Sequence, residues 1–116
     1  MQRTALVTGA TAGFGAAICR TLIENGYRVI GTGRRVARLE QLQQELGENF
    51  HFLAFDISER QATEDAFHSL PANWQSIDLL VNNAGLGLGL ESADKASLDD
   101  WMQMIDTNIK GLVTIA

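Results

Sequence analysis

The chain has 116 residues, 46% of them hydrophobic and 20% charged, with a formal net charge of −5. That leaves room for one domain with a modest core, in a composition ordinary for a globular fold. The acidic balance argues against general binding to nucleic acid or anionic membrane, and the single cysteine, Cys19, excludes an internal disulfide and a cysteine-based metal site.

No apolar run approaches the length of a membrane span, and Met1-Gln2-Arg3-Thr4 lacks the long apolar region and cleavage site of a signal peptide. A cytoplasmic protein is the expectation. His51 and His68 read as strand and helix-surface residues, and no cluster supports a metal site.

Short β-rich runs alternate with amphipathic helical ones, the pattern of a parallel sheet with crossover helices. The first strand is predicted at Ala5–Thr8. It leads into Thr8-Gly9-Ala10-Thr11-Ala12-Gly13-Phe14-Gly15 and then a helix from about Gly13, with Ala17, Ile18, Thr21 and Leu22 on one face. Asn25-Gly26 is a helix stop. A second strand covers Arg28–Thr32, and a second helix carries Leu39, Leu42 and Leu46 and ends at Gly47. The third strand, about Phe50–Phe55, runs to Asp56.

Ser58 with Gln61 reads as a capping box opening a third helix, which shows Ala62, Ala66, Phe67 and Leu70 and is ended by Pro71. The fourth strand is Ile77–Val81. Ser97 with Asp100 caps a predicted fourth helix, with Trp101, Met104, Ile105, Leu112 and Ile115 at helical spacing. Right-handed crossovers then favour an α/β fold with a doubly wound parallel sheet in the order 3-2-1-4, still open at the fourth strand. Ligands bind such sheets beyond the carboxyl ends of the strands, where the order reverses.

The special residues fall at those strand ends. A strand that turns through glycines into a helix N-terminus suits a phosphate, because the first helical turn has unpaired N–H groups and the positive end of the dipole. The spacing is T-G-x-x-x-G-x-G, with Ile18 where a strict G-x-G-x-x-G would continue. After the second strand, a fold selective for NAD usually has an acidic residue for the ribose 2′-hydroxyl. This chain has Thr32-Gly33-Arg34-Arg35, with Arg38 close behind. A guanidinium suits a 2′-phosphate; a solvated helix start is the plainer alternative, although cations there oppose the dipole.

Asp56 is placed either to accept from an adenine amino group or to cap a helix. Asn82-Asn83-Ala84-Gly85 suits a floor under a flat ring, with amides tying adjacent strands, or a simple turn. Asn108 lies within the apolar stripe of the predicted fourth helix, where a buried amide without partners costs roughly 1–3 kcal/mol. It reads as a helix–helix hydrogen bond or as part of a catalytic water network.

Taken together, T-G-x-x-x-G-x-G at 8–15, Asp56, N-N-A-G at 82–85 and Asn108 resemble the short-chain dehydrogenase/reductase family over the whole length. Within it the likeness is to the bacterial NADP-dependent 3-hydroxy acid dehydrogenases. The segments that carry it are Val7–Gly15, Thr32-Gly33-Arg34-Arg35, Asn82–Leu86, and Lys95-Ala96-Ser97 running on to Asp106-Thr107-Asn108. The resemblance implies a Rossmann-type fold and hydride transfer between NADP and a secondary alcohol, a 3-hydroxy acid such as serine or allo-threonine. It implies that Gly9, Gly13 and Gly15 hold the pyrophosphate, with Thr11 and Phe14 cofactor-binding in the same turn. Arg34 and Arg35 would hold the 2′-phosphate, Asp56 would contact adenine, and Asn83, Ala84 and Gly85 would line the cofactor. Asn108 would be the catalytic asparagine of the family's Asn-Ser-Tyr-Lys tetrad, and a homo-oligomer, a tetramer by resemblance, is implied.

The chain departs from the pattern in one respect. Its only tyrosine is Tyr27, and position 31 is Gly31, so no Tyr-x-x-x-Lys is present. Residues 1–116 are therefore expected to be the dinucleotide-binding N-terminal part of a single-domain enzyme, inactive alone. The alternative is a non-catalytic dinucleotide-binding or interaction module that needs a partner chain.

Overall fold

The computed structural model describes residues 2–11, 14–56, 59–83 and 111–114. Strand β1 (Thr4–Thr8) leads to helix α1 (Gly15–Glu24), β2 (Arg28–Gly33), α2 (Val36–Leu46), β3 (Phe50–Ala54), α3 (Arg60–His68), β4 (Leu79–Asn82) and β5 (Gly111–Thr114). One-turn 3-10 segments lie at Gly47–Asn49 and Ala72–Trp74. No helix among the described residues is long and apolar enough to cross a membrane.

The sheet is parallel, in the order β3-β2-β1-β4-β5. The expected 3-2-1-4 order is present within it. β1 lies between β2 and β4, with Leu6 opposite Ile30 on one side and Leu80 on the other. All five of its residues are buried, which is why Thr4–Thr8 shows no polar–apolar alternation: both faces are covered.

Alternate side chains feed two cores. Leu6, Ile30, Leu53 and Leu80 meet Phe67, Leu70 and Ile77 on the α3 side. Val7, Val29, Phe50 and Val81 meet Cys19, Leu39 and Leu42 on the side of α1 and α2. Helices on both faces make this a doubly wound α/β sheet. Leu39, fully buried, is one of its anchors, and truncating such a leucine to alanine costs about 2–5 kcal/mol.

Three local expectations change. Gly111–Thr114, expected within a fourth helix, is instead a fifth strand paired with β4, Leu80 opposite Leu112 and Val81 opposite Val113. The cause lies in composition and partner. Val113 and Thr114 are β-branched, and the ladder groups of β4 on that side need partners. The edge of β4 expected to be open is thus covered. The rest of the expected helix, including Trp101, Met104 and Ile105, lies outside the described residues.

The capping box also gives way. The N-cap of α3 is Glu59, without a side-chain cap, and Gln61 donates to Asp65 Oδ1 instead of reaching back. Ser58 lies outside the described residues. Finally, the inward face of α1 is only partly the expected one, Ile18 and Leu22 packing on the core. Gly15 and Cys19 are buried and Leu22 and Ile23 pack on the core, while Ala17 and Thr21 are exposed. The close approach of Gly15 to the turn after β1, at Gly9 and Ala10, sets that rotation. The helix stops are as expected, with Gly26 at φ 90° and Gly47 at φ 79°.

Candidate functional site

The carboxyl ends of β1, β2, β3 and β4 bring the candidate residues to one rim of the sheet. The turn after β1 begins at Gly9, whose φ of 64° is left-handed backbone that favours glycine. It is fastened on two sides. The Ala10 N–H donates to the Thr32 carbonyl at 2.8 Å, tying it to β2. Asn83 Nδ2 donates to the Gly9 carbonyl at 2.9 Å, tying it to the end of β4. Thr8, buried beneath, donates through Oγ1 to the Val81 carbonyl at 3.5 Å.

Helix α1 then starts hard against this turn. A Cβ on Gly15 would stand 2.1 Å from the Gly9 carbonyl oxygen and 2.7 Å from the Ala10 carbonyl carbon, so only glycine fits. Phe14 is the N-cap of α1 and makes no side-chain cap bond; its side chain is 66% exposed, the most of any large hydrophobic residue described. The first turn of α1 carries no acidic residue. Its N–H groups and dipole are left for an anion.

At the end of β2, Arg34 reaches toward the end of β3: its Nη1 lies 3.9 Å from Asp56 Oδ2. With the Arg34 side chain 77% exposed, that ion pair is a weak one and leaves the guanidinium available. Arg35 is the N-cap of α2 and is exposed. Asp56 also accepts locally through its backbone, the Glu59 N–H donating to its carbonyl at 3.0 Å.

Thr11 lies beside Gly33, its Oγ1 3.3 Å from where a Cβ on that glycine would stand. Thr11 also lines a cleft of about 220 Å³ between α1 and α2, together with Ala16, Arg38, Gln41 and Leu42. The cleft wall includes Arg20 and Glu45 as well, joined across the helices by two hydrogen bonds, one of them Nη2 to Oε1 at 3.0 Å. That pairing raises the pKa of Arg20 and lowers that of Glu45.

The structure thus gathers Gly9, Thr11, Phe14, Gly15, Arg34, Arg35, Asp56 and Asn83 at one rim. Gly13, Ala84, Gly85 and Asn108 lie outside the described residues. Arg38 was visible as part of a basic cluster, but the sequence carried no sign that it shares a cleft with Thr11. Its facing partners come from the glycine turn and from α1. Cys19 lies away from the rim, and burial pushes its thiol up to about 12, so it is no nucleophile.

A glycine turn pinned to both neighbouring strands opens a helix whose N-terminus is free of acids, with arginines at the end of the next strand, an arrangement suited to a dinucleotide. The profile described as short chain dehydrogenase matches residues 3–116, and the chain belongs to that family.

Among relatives, it is 70% identical over 112 residues to a Haemophilus influenzae protein described as "Probable NADP-dependent dehydrogenase", covering 97% of this chain and 44% of that one. It is 58% identical over 108 residues to NADP-dependent 3-hydroxy acid dehydrogenase YdfG of Escherichia coli (strain K12), covering 93% and 44%. Among solved structures, serine dehydrogenase from Escherichia coli superposes with a TM-score of 0.70 at 55% identity, covering 88% of this chain and 47% of that one. The chain spans less than half the length of each of these proteins.

Proposed function

We propose that residues 1–116 form the dinucleotide-binding part of an NADP(H)-dependent oxidoreductase acting on a secondary alcohol, with a 3-hydroxy acid such as serine or allo-threonine as the substrate class. The observation that carries the cofactor choice is the end of β2. Arg34 and Arg35 stand where an acidic residue would select a free 2′-hydroxyl, and among the described residues Arg34 is held by a long, exposed pair with Asp56. The names of the relatives support the substrate class.

The residues present fit the group. The space at Gly15 admits no side chain, and the adjoining helix N-terminus bears no acid that would repel a phosphate. Bound there, the nicotinamide supplies hydride transfer. The chain's own residues bind and orient it: Gly9, Gly13 and Gly15, with Thr11 and Phe14, receive the pyrophosphate; Arg34 and Arg35 take the 2′-phosphate; and Asp56 meets the adenine. Asn83, Ala84 and Gly85 line the cofactor. Asn108 is assigned to hold a water on a proton relay. Assembly as a homo-oligomer and a cytoplasmic location belong to the same reading.

The test is equilibrium binding of NADPH and NADH to the full chain and to its Arg34→Gln/Arg35→Gln variant. NADPH affinity is expected to fall about tenfold to a hundredfold, with NADH little changed. Equal losses for both would remove these arginines from 2′-phosphate recognition.

A further inference from the structure

The three arginines after β2 do not act as one patch. Arg34 is directed toward Asp56 at the end of β3. Arg38, the third residue of α2, instead lines the cleft with Thr11 of the glycine turn. Thr11 is itself beside Gly33, so that cleft opens at the end of β2. We propose that Arg38, with Thr11, forms the second wall of the 2′-phosphate site, making Arg38 a specificity-determining residue for the phosphorylated dinucleotide. This rests on the reading of the chain as NADP(H)-binding.

Charge and space both support the assignment. The cleft is lined by two arginines and one glutamate, and the glutamate is taken: Glu45 accepts two hydrogen bonds from Arg20. Arg38 and Glu45 are two turns apart on α2, about 10 Å along the helix, too far for the carboxylate to serve both. Among the described residues no carboxylate pairs with Arg38, which leaves its guanidinium as the free charge of the cleft.

Its position also calls for an anion. Arg38 falls in the first turn of α2, where a cation opposes the dipole, and that turn has no acidic residue and no side-chain cap. A phosphate reaching this point offsets both unfavourable terms at once. The volume of about 220 Å³ takes such a group with a few waters, each of which needs about 30 Å³. The Thr11 hydroxyl supplies a neutral donor opposite the guanidinium fork.

Titration calorimetry on the full chain tests this with NADPH and NADH as probes, comparing the wild type with Arg38→Gln and, separately, Arg34→Gln. Arg38→Gln is expected to weaken NADPH by about tenfold or more and NADH by less than about twofold, with the loss shrinking as salt rises. Because Arg38 is exposed, the variant folds, and its NADH affinity serves as the internal check. Unchanged NADPH affinity, or equal loss of both dinucleotides, overturns the assignment. If Arg38→Gln leaves NADPH affinity unchanged while Arg34→Gln loses NADPH selectively, the assignment falls and the NADP reading stands. A wild type that does not prefer NADPH overturns both.

Discussion

The Asn83 carboxamide, at the end of β4, donates to the backbone carbonyl of Gly9, at the end of β1, across 2.9 Å and 74 residues of sequence. The amide is buried, so the bond is shielded from water and the glycine turn is set from the end of β4. Asn83→Ala leaves the Gly9 carbonyl without this donor and is expected to cost about 1–3 kcal/mol of stability. Asn83→Asp is expected to be worse, placing a carboxylate against a carbonyl oxygen and near the turn proposed to receive the pyrophosphate. Thermal melts with NADPH and NADH titrations check this: both dinucleotides should weaken together.

Gly15→Ala drives a methyl group into the Gly9 carbonyl, where the built distance is 2.1 Å. The obstacle is backbone on both sides and cannot swing aside as a side chain would. A loss on the order of 3 kcal/mol is expected in denaturant unfolding, with dinucleotide binding impaired in whatever folds. A variant as stable as the wild type would mean that α1 slides along β1 without penalty.

Cys19 is expected to be silent toward thiol reagents in the folded protein at about pH 8, since burial holds its pKa near 12. Mass spectrometry after alkylation should find it unmodified until denaturant is added. Rapid labelling of the native chain would show that α1 opens from the sheet on the timescale of the reaction.

His51 links stability to acidity. Burial holds its pKa below the ordinary value, and its ring lies 5.4 Å from that of Trp74, over which the Arg28 guanidinium sits at 4.4 Å. Protonating His51 would put a second cation on the same indole. The unfolded histidine binds a proton at about 6.5, above the folded value. The contribution to stability is therefore complete above that pH and is lost as the pH falls through the folded pKa. Between about pH 7 and about pH 5, the wild-type melting temperature should fall more steeply than that of His51→Gln.

Much of this fold was legible because its signals are local. Apolar runs such as Ala5-Leu6-Val7 and Ile77–Val81, bounded by glycine, asparagine or proline, mark strands wherever they stand. Asn25-Gly26 and Gly47 end helices by their own backbone preference. The glycine turn and Arg34 were legible for the same reason. What escaped depends on partners far along the chain. Leu112 fits a helical stripe as well as a strand, and the available ladder of β4 decides between them. The inward face of α1 follows from the contact between Gly15 and Gly9, and Arg38 gains its meaning from Thr11 across the cleft. Periodicity within one element is blind to such choices.

The central place of β1 also fixes when the rim is finished. Its pairing with β2 joins residues 24 apart (Thr4 with Arg28), whereas its pairing with β4 joins residues 74 apart (Ala5 with Leu79). Loop closure favours the shorter connection, so the β1–α1–β2 unit of the fold can gather early while its other flank still faces water. Until β4 docks, Gly9 has no Asn83 to hold it and the turn is fastened on one side only. The glycine turn is thus among the last parts of the sheet to reach its final form, although it is encoded within the first fifteen residues.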